Sequence, residues 1–180
     1  KFDTLKKHLL TCPILGTFVY HHPMLSAASS STLLYFINAE PQIQGKRGNP
    51  SEAQRIFSLL KDLSTDDFVI LTPYREQVAL IKQTMPNIDK ERILTVHKSQ
   101  GLEWDTVILS VSDSRISGKW FTSSRIKVSQ GLQLINTAVS RAKKRLIIVC
   151  DYDYWITQNN ELIAELLKIS SSYHTNEATQ

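Results

Sequence analysis

From residue 32 onward, short apolar runs alternate with longer amphipathic stretches. Residues 32–38 (TLLYFIN), 68–71 (FVIL), 93–96 (ILTV), 106–110 (TVILS) and 146–150 (LIIVC) are largely apolar runs rather than strict alternations. Runs of that kind predict strands buried on both faces. Between them, Ile56, Leu59, Leu60 and Leu63 recur at helical spacing, as do Val78, Ile81 and Met85 within residues 75–85. Residues 131–142 and 162–169 predict two further helices. Ser51, with Gln54 three residues on, reads as a capping box opening the first helix. Strands alternating with helices predict an α/β fold whose mostly parallel sheet is covered on both sides. Right-handed crossovers then put ligand-facing loops at the carboxyl ends of strands. That gives weight to residues 72–77, 97–103 and 151–154.

The remaining chain has weaker rhythm. Residues 1–31 read as a linker or irregular segment, 32–169 as the folded domain, and 170–180 as a polar, flexible tail. Residues 40–50 carry two Pro and two Gly and read as a loop; residues 113–130 read as a long insertion. The chain opens on Lys1, which suits a segment of a longer polypeptide, and no charged-then-apolar leader stands at its start. No apolar run reaches the ~18 residues of a membrane helix.

With 42% hydrophobic residues in 180, the chain can bury a sizeable core. Cys12 and Cys150 are far apart and form no C-x-x-C pair, which suits a reducing compartment, cytoplasmic or nuclear, and structural thiols. No His/Cys cluster has metal-ligand spacing, and the adjacent His21 and His22 fit no such pattern. The net charge of +4 is uneven: Arg141, Lys143, Lys144 and Arg145 crowd together, and Lys46 and Arg47 share a loop. That permits nucleic-acid binding without requiring it.

Three segments carry candidate chemistry. In TPYREQ (residues 72–77), Pro73 ends a buried strand and Arg75 falls in the first turn of a helix. A cation there opposes the helix dipole unless an anion lies nearby. In TVHKSQGLEWDTVILS (95–110), His97, Lys98, Ser99 and Gln100 crowd donors into one turn. Gly101 allows a positive φ, and Glu103 is an acceptor that suits a sugar hydroxyl. In NTAVSRAKKRLIIV (136–149), Arg141 closes a tightly packed helix, where a cation is favourable.

In this order the three segments resemble motifs IV, V and VI of superfamily 1 helicases, over about residues 33–153. In that family two RecA-like domains clamp ATP between them and pull along a single strand. The first carries the P-loop and the acidic magnesium-binding motif; the second supplies motifs IV to VI. Here G-x-x-x-x-G-K-[ST] is missing, since GKRGNPS at Gly45 and GKW at Gly118 lack the spacing. The resemblance therefore implies a RecA-like, P-loop NTPase-type three-layer sandwich without its own P-loop. It implies that Arg75 contacts the ATP γ-phosphate and that Arg141 is the arginine finger. A planar guanidinium matches the charge spread over γ-phosphate oxygens, and a finger is worth about a thousandfold or more in rate.

The resemblance further implies that Gln100, Gly101 and Glu103 form the nucleotide side of motif V, and Thr95, His97 and Lys98 its nucleic-acid side. Tyr74 either stacks on a base or nucleotide or simply packs. ATP and Mg2+ would be bound mainly by a first motor domain outside this chain, so the segment alone is expected to be inactive. The implied partners are single-stranded DNA or RNA and that N-terminal RecA-like domain, with no membrane. Departures exist: the linker-like stretch from Tyr20 lacks its usual Arg. HKSQG is similar to the branch of the exonuclease V helicase subunit, and NTAVSRAKKRL to the branch of RNA-decay and replication helicases. The competing reading is a helicase-derived module that binds nucleic acid or protein without turnover. Retention of both Arg75 and Arg141 favours the motor.

Overall fold

A computed structural model describes residues 32–41, 44–45, 47–116, 122–123 and 130–173. The expectations for residues 1–31, Cys12, His21, His22, Lys46 and Gly118, and for most of residues 113–130 and 170–180, lie outside the described residues. The strands are β1 (Leu33–Asn38), β2 (Phe68–Thr72), β3 (Ile93–Thr95), β4 (Trp104–Ser110), β5 (Ala142–Cys150) and β6 (Ser171–Ser172). The helices are α1 (Pro50–Asp62), α2 (Arg75–Thr84), α3 (Gly131–Ser140), α4 (Tyr152–Trp155) and α5 (Leu162–Ile169).

All six strands pair in parallel, in the order β3-β2-β4-β5-β1-β6. Their apolar runs feed two cores at once. Val69, Leu71, Val107, Leu109, Leu146 and Ile148 point to one face, which α3, α4 and α5 cover. Phe68, Ile70, Ile108, Ile147 and Val149 point to the other, under α1 and α2. The period of two along each strand splits one apolar run between two helical layers. The result is a three-layer α/β sandwich of RecA-like type, with a sheet that is wholly parallel.

Three local expectations change. The first helix is capped by Asn49, not Ser51: its side chain accepts from the N–H groups of Ser51 and Glu52, with Pro50 at the first helical position. Pro lacks an N–H and has a helical φ built in, so the residue before it is the natural cap. Strands β4 and β5 begin earlier than their apolar runs, at Trp104 and Ala142. At these starts Trp104 and Ala142 still pack against the core, while Lys143 and Lys144 stay exposed and Lys144 pairs with Asp105 at 2.6 Å. Ser171 and Ser172, expected to open a polar tail, instead form β6 beside β1, and the Tyr173 N–H donates to the Phe36 carbonyl.

Asn49 is fully buried, and besides capping α1 its N–H donates to Gln77 Oε1 and its Nδ2 donates to Glu40 O and Glu52 Oε1. Asn49→Ala should therefore destabilise the chain by about 1–2 kcal/mol, the upper part of the range for a lost N-cap. A lowered urea midpoint at unchanged m-value would show it; an unchanged midpoint would not fit this role.

Candidate functional site

A parallel sheet covered on both faces leaves its two ends for chemistry. The carboxyl end gathers Asn38, Thr72, Thr95, Ser110 and Cys150. The amino end gathers Trp104 and Ala142, which lie side by side. Helix-to-strand connections land at the amino end and strand-to-helix connections at the carboxyl end. Arg75 follows β2, so it lies at the carboxyl end; Arg141 precedes β5, so it lies at the amino end. The seven residues of β4 separate the two ends by about 20 Å. The expectation that Arg75 and Arg141 both meet the ATP γ-phosphate thus asks two opposite ends of this sheet to serve one nucleotide.

The amino end brings Arg141 to the motif V turn. Arg141 caps α3, and its backbone carbonyl accepts from Trp104 N–H at 3.0 Å. Its Nη1 donates to the Leu102 carbonyl at 3.1 Å, its Nε to the Thr137 carbonyl at 3.2 Å, and its Nη2 to Ser140 Oγ at 2.9 Å. Every one of these acceptors is uncharged. Among the described residues no carboxylate pairs with Arg141. Gly101 has φ +81°, and a Cβ there would meet nothing within 4 Å, so the left-handed turn rather than lack of space calls for glycine. Gln100 and Glu103 are exposed on either side of that turn.

Between the two ends runs residues 96–103, from the tip of β3 to the start of β4. It opens as a 3-10 turn, Val96–Ser99, held by Ser99 Oγ–H to the Val96 carbonyl and by Leu102 N–H to the Ser99 carbonyl. Val96 is buried, while His97 and Lys98 are exposed. His97 and Gln100 face Gln133 and Thr137 of α3 across a cleft of about 230 Å³. Thr95, half-buried, stands beside Thr72. One segment therefore carries the expected nucleic-acid residues near one end of the sheet and the expected nucleotide residues near the other.

The carboxyl end holds a buried polar network that sequence reading missed. Glu52 is fully buried; it accepts from Ser110 Oγ at 2.6 Å, from the Ser112 N–H at 3.0 Å and from Asn49 Nδ2. That grip holds Ser112 at φ +60°, an unusual conformation for a side-chain-bearing residue. Gln77 Nε2 donates to Ser110 Oγ and to the Asn49 carbonyl, tying α2 to the same network. Asp113, also buried, accepts from the Tyr74 hydroxyl at 2.7 Å, from Thr122 Oγ1 at 2.8 Å and from Arg47 at 3.2 Å. Arg47 also stacks over the Tyr74 ring. Of the two readings open for Tyr74, packing has visible support: its hydroxyl donates to Asp113 and Arg47 lies over one ring face. Burial pushes the Asp113 carboxyl up, against the lowering by Tyr74, Thr122 and Arg47. Burial likewise lifts Glu52 from 4.5 to about 8 despite its hydrogen bonds, with Asp113 adding to the rise. One signal for Glu52 was present: it stands four residues before Ile56 and seven before Leu59, on the apolar stripe of α1.

Arg75 is exposed at the start of α2, whose cap position, Tyr74, makes no side-chain capping bond. Among the described residues it has no ion-pair partner. Among the same residues no group of three His, Cys, Asp or Glu side chains could hold a metal ion, and no helix is long and apolar enough to cross a membrane.

Residues 21–153 match a family model described as an AAA domain, and the chain belongs to that family. It is 34% identical over 115 residues to the DNA replication ATP-dependent helicase/nuclease JHS1 of Arabidopsis thaliana, covering 61% of this chain and 8% of that protein. It is 28% identical over 132 residues to the 3'-5' exoribonuclease HELZ2 of Mus musculus, covering 64% and 4% respectively. It is 27% identical over 137 residues to the DNA-binding protein SMUBP-2 of Mus musculus, covering 73% and 13%. The chain thus spans between 4% and 13% of these relatives. Family and relatives together support a superfamily 1 helicase-type domain.

The raised Glu52 carboxyl links stability to pH. The folded state holds its proton up to about pH 8, the unfolded chain only to about 4.5, so stability is full below 4.5 and is lost as pH rises toward 8. Asp113 shifts in the same direction. The expected loss between pH 5 and 8 is a few kcal/mol at ~1.4 kcal/mol per unit. Glu52→Gln should flatten that slope, measured as urea midpoints at both pH values; parallel profiles for the two proteins would contradict the assignment.

Proposed function

We propose that this chain is the second RecA-like motor domain of an ATP-dependent superfamily 1 helicase or translocase acting on single-stranded nucleic acid. The observation that carries the reading is the guanidinium of Arg141, held only by uncharged acceptors at the amino end of the sheet, against the turn that carries exposed Glu103. A cation fixed in place yet left without a counter-charge suits an anion presented by another body. Arg141 would act as the finger on the γ-phosphate, and Glu103 and Gln100 would meet the nucleotide across the Gly101 turn. The chain has no Gly-rich phosphate cradle, so these groups fit one side of a nucleotide rather than the whole of it. Bound ATP with Mg2+ would supply the phosphoryl group for transfer, held mainly by a first motor domain of the same polypeptide.

Arg75 takes a different role in this reading. It lies at the carboxyl end with Thr95, whose neighbours His97 and Lys98 are exposed. An unpaired cation at a helix start is favoured by a nearby anion. We assign Arg75, with Thr95, His97 and Lys98, to the phosphates of the strand, a largely sequence-independent grip. Names that include a helicase and a DNA-binding protein among the relatives favour this reading. Domain closure and opening would then couple the two ends through residues 96–103.

Two outcomes are expected of the polypeptide that carries both motor domains. Arg141→Ala should lower strand-stimulated ATP hydrolysis by about a thousandfold, the usual size for a finger, without unfolding the protein. Full turnover in the variant would instead favour the module that binds without hydrolysis. Arg75→Ala should weaken single-strand binding about equally for all sequences and reduce its salt dependence by roughly one phosphate contact, while ATP turnover on saturating strand persists. Loss of turnover with strand binding intact would restore Arg75 to the nucleotide.

A further inference from the structure

We propose that Ser140 is a positioning residue for the Arg141 guanidinium. The inference rests on reading Arg141 as the finger and concerns how this chain holds that finger ready. An arginine side chain at a helix end has four rotatable bonds and, left alone, samples many orientations. Here Ser140 Oγ accepts from both Arg141 Nε, at 3.3 Å, and Nη2, at 2.9 Å. The same hydroxyl donates its proton to the Thr137 carbonyl at 2.9 Å, one turn back in α3. With that proton committed, only its lone pairs face the guanidinium, so the hydroxyl is fixed as an acceptor. Nε also shares the Thr137 carbonyl at 3.2 Å, and Nη1 reaches the Leu102 carbonyl at 3.1 Å.

The donor count shows what this arrangement leaves over. A guanidinium carries five N–H groups in one plane. Nε uses its one hydrogen, shared between Ser140 and Thr137, while Nη1 and Nη2 each use one. One hydrogen remains on each terminal nitrogen. Two donors in a fixed plane are the pattern that grips two oxygens of a phosphoryl group. The Leu102 contact holds one side of the fork and Ser140 the other, and Ser140 is the only side chain among these acceptors. Ser140 is itself exposed, so its hydroxyl does not fill a core position. Removing it leaves the charge and the two carbonyls, but Nη2 loses its acceptor and the Nε side of the fork then rests on the Thr137 carbonyl alone.

The test compares Ser140→Ala, Ser140→Thr and Arg141→Ala in the polypeptide with both motor domains. Two readouts are taken: strand-stimulated ATP hydrolysis, and equilibrium binding of ADP with aluminium fluoride beside ADP alone. Ser140→Ala should lower kcat by roughly ten- to hundredfold, the scale of a misplaced catalytic group, with the KM for ATP nearly unchanged. It should weaken the aluminium fluoride complex by a similar factor and leave ADP binding and the thermal midpoint as they were. Ser140→Thr returns the hydroxyl on an exposed position and should restore both readouts. If Arg141→Ala keeps full turnover, the finger reading itself has failed. If Arg141→Ala is inactive while Ser140→Ala behaves as wild type, or Ser140→Thr is as impaired as Ser140→Ala, the positioning role is overturned and the finger reading stands.

Discussion

Burying a parallel sheet on both faces is the constraint on which everything else here depends. Central strands such as β2 have every residue buried, so no polar side chain can work from their middles. Ionisable groups cost several kcal/mol to bury unpaired, so they collect where the strands stop. The sandwich therefore sorts its chemistry into two separate ends, about a β4 length apart, before any particular motif is considered. A residue's place in the chain relative to the nearest strand, ahead of it or behind it, decides which end it serves.

The carboxyl end is mostly closed upon itself. Glu52, Ser110, Gln77 and Asn49 satisfy one another and tie α1, α2 and β4 into one unit. Asp113 then receives Tyr74, Arg47 and Thr122, while the Trp155 indole N–H donates to the Asp113 carbonyl. Ser123 Oγ–H donates to buried Glu161 nearby, so the described part of the long connection after β4 is tied by carboxylates at both Asp113 and Glu161. Such a network is costly if one member is lost and rigid when complete. It makes the root of this connection a stiff support rather than an open pocket.

Most of the fold was legible because its signal is local. An unbroken apolar run such as LIIVC reports burial on both faces from sequence alone, and α5 begins and ends where its periodicity does. The cap was misread because Ser51 followed by Gln54 fits a familiar pattern, while Asn49 before Pro50 has the stronger geometric claim. The strand starts were misread because apolar content marks where a strand is covered, not where its hydrogen bonding begins. The separation of Arg75 from Arg141 was less legible for a different reason: motif order says nothing about which end of a sheet a motif occupies. That information was nonetheless in the connection types, since one arginine follows a strand and the other precedes one. Asp113, Arg47 and Tyr74 meet across 66 and 39 residues of chain, and no spacing rule reaches that far.

Charge accounting then separates the two ends by what they still need. At the carboxyl end the buried carboxylates have partners inside the chain, and Glu52 avoids its charge by keeping its proton. Arg47 and Arg115 are spent on Asp113 and Asp151. Arg75, His97 and Lys98 are exposed, the diffuse kind of surface that suits a flexible polyanion. At the amino end the accounting is different. Lys144 has Asp105, but Arg141 has carbonyls and a hydroxyl, which fix a guanidinium without cancelling its charge. A carboxylate in the place of Ser140 would hold the fork as firmly and would also neutralise it. Neutral acceptors are the choice that keeps both orientation and charge available to an incoming anion.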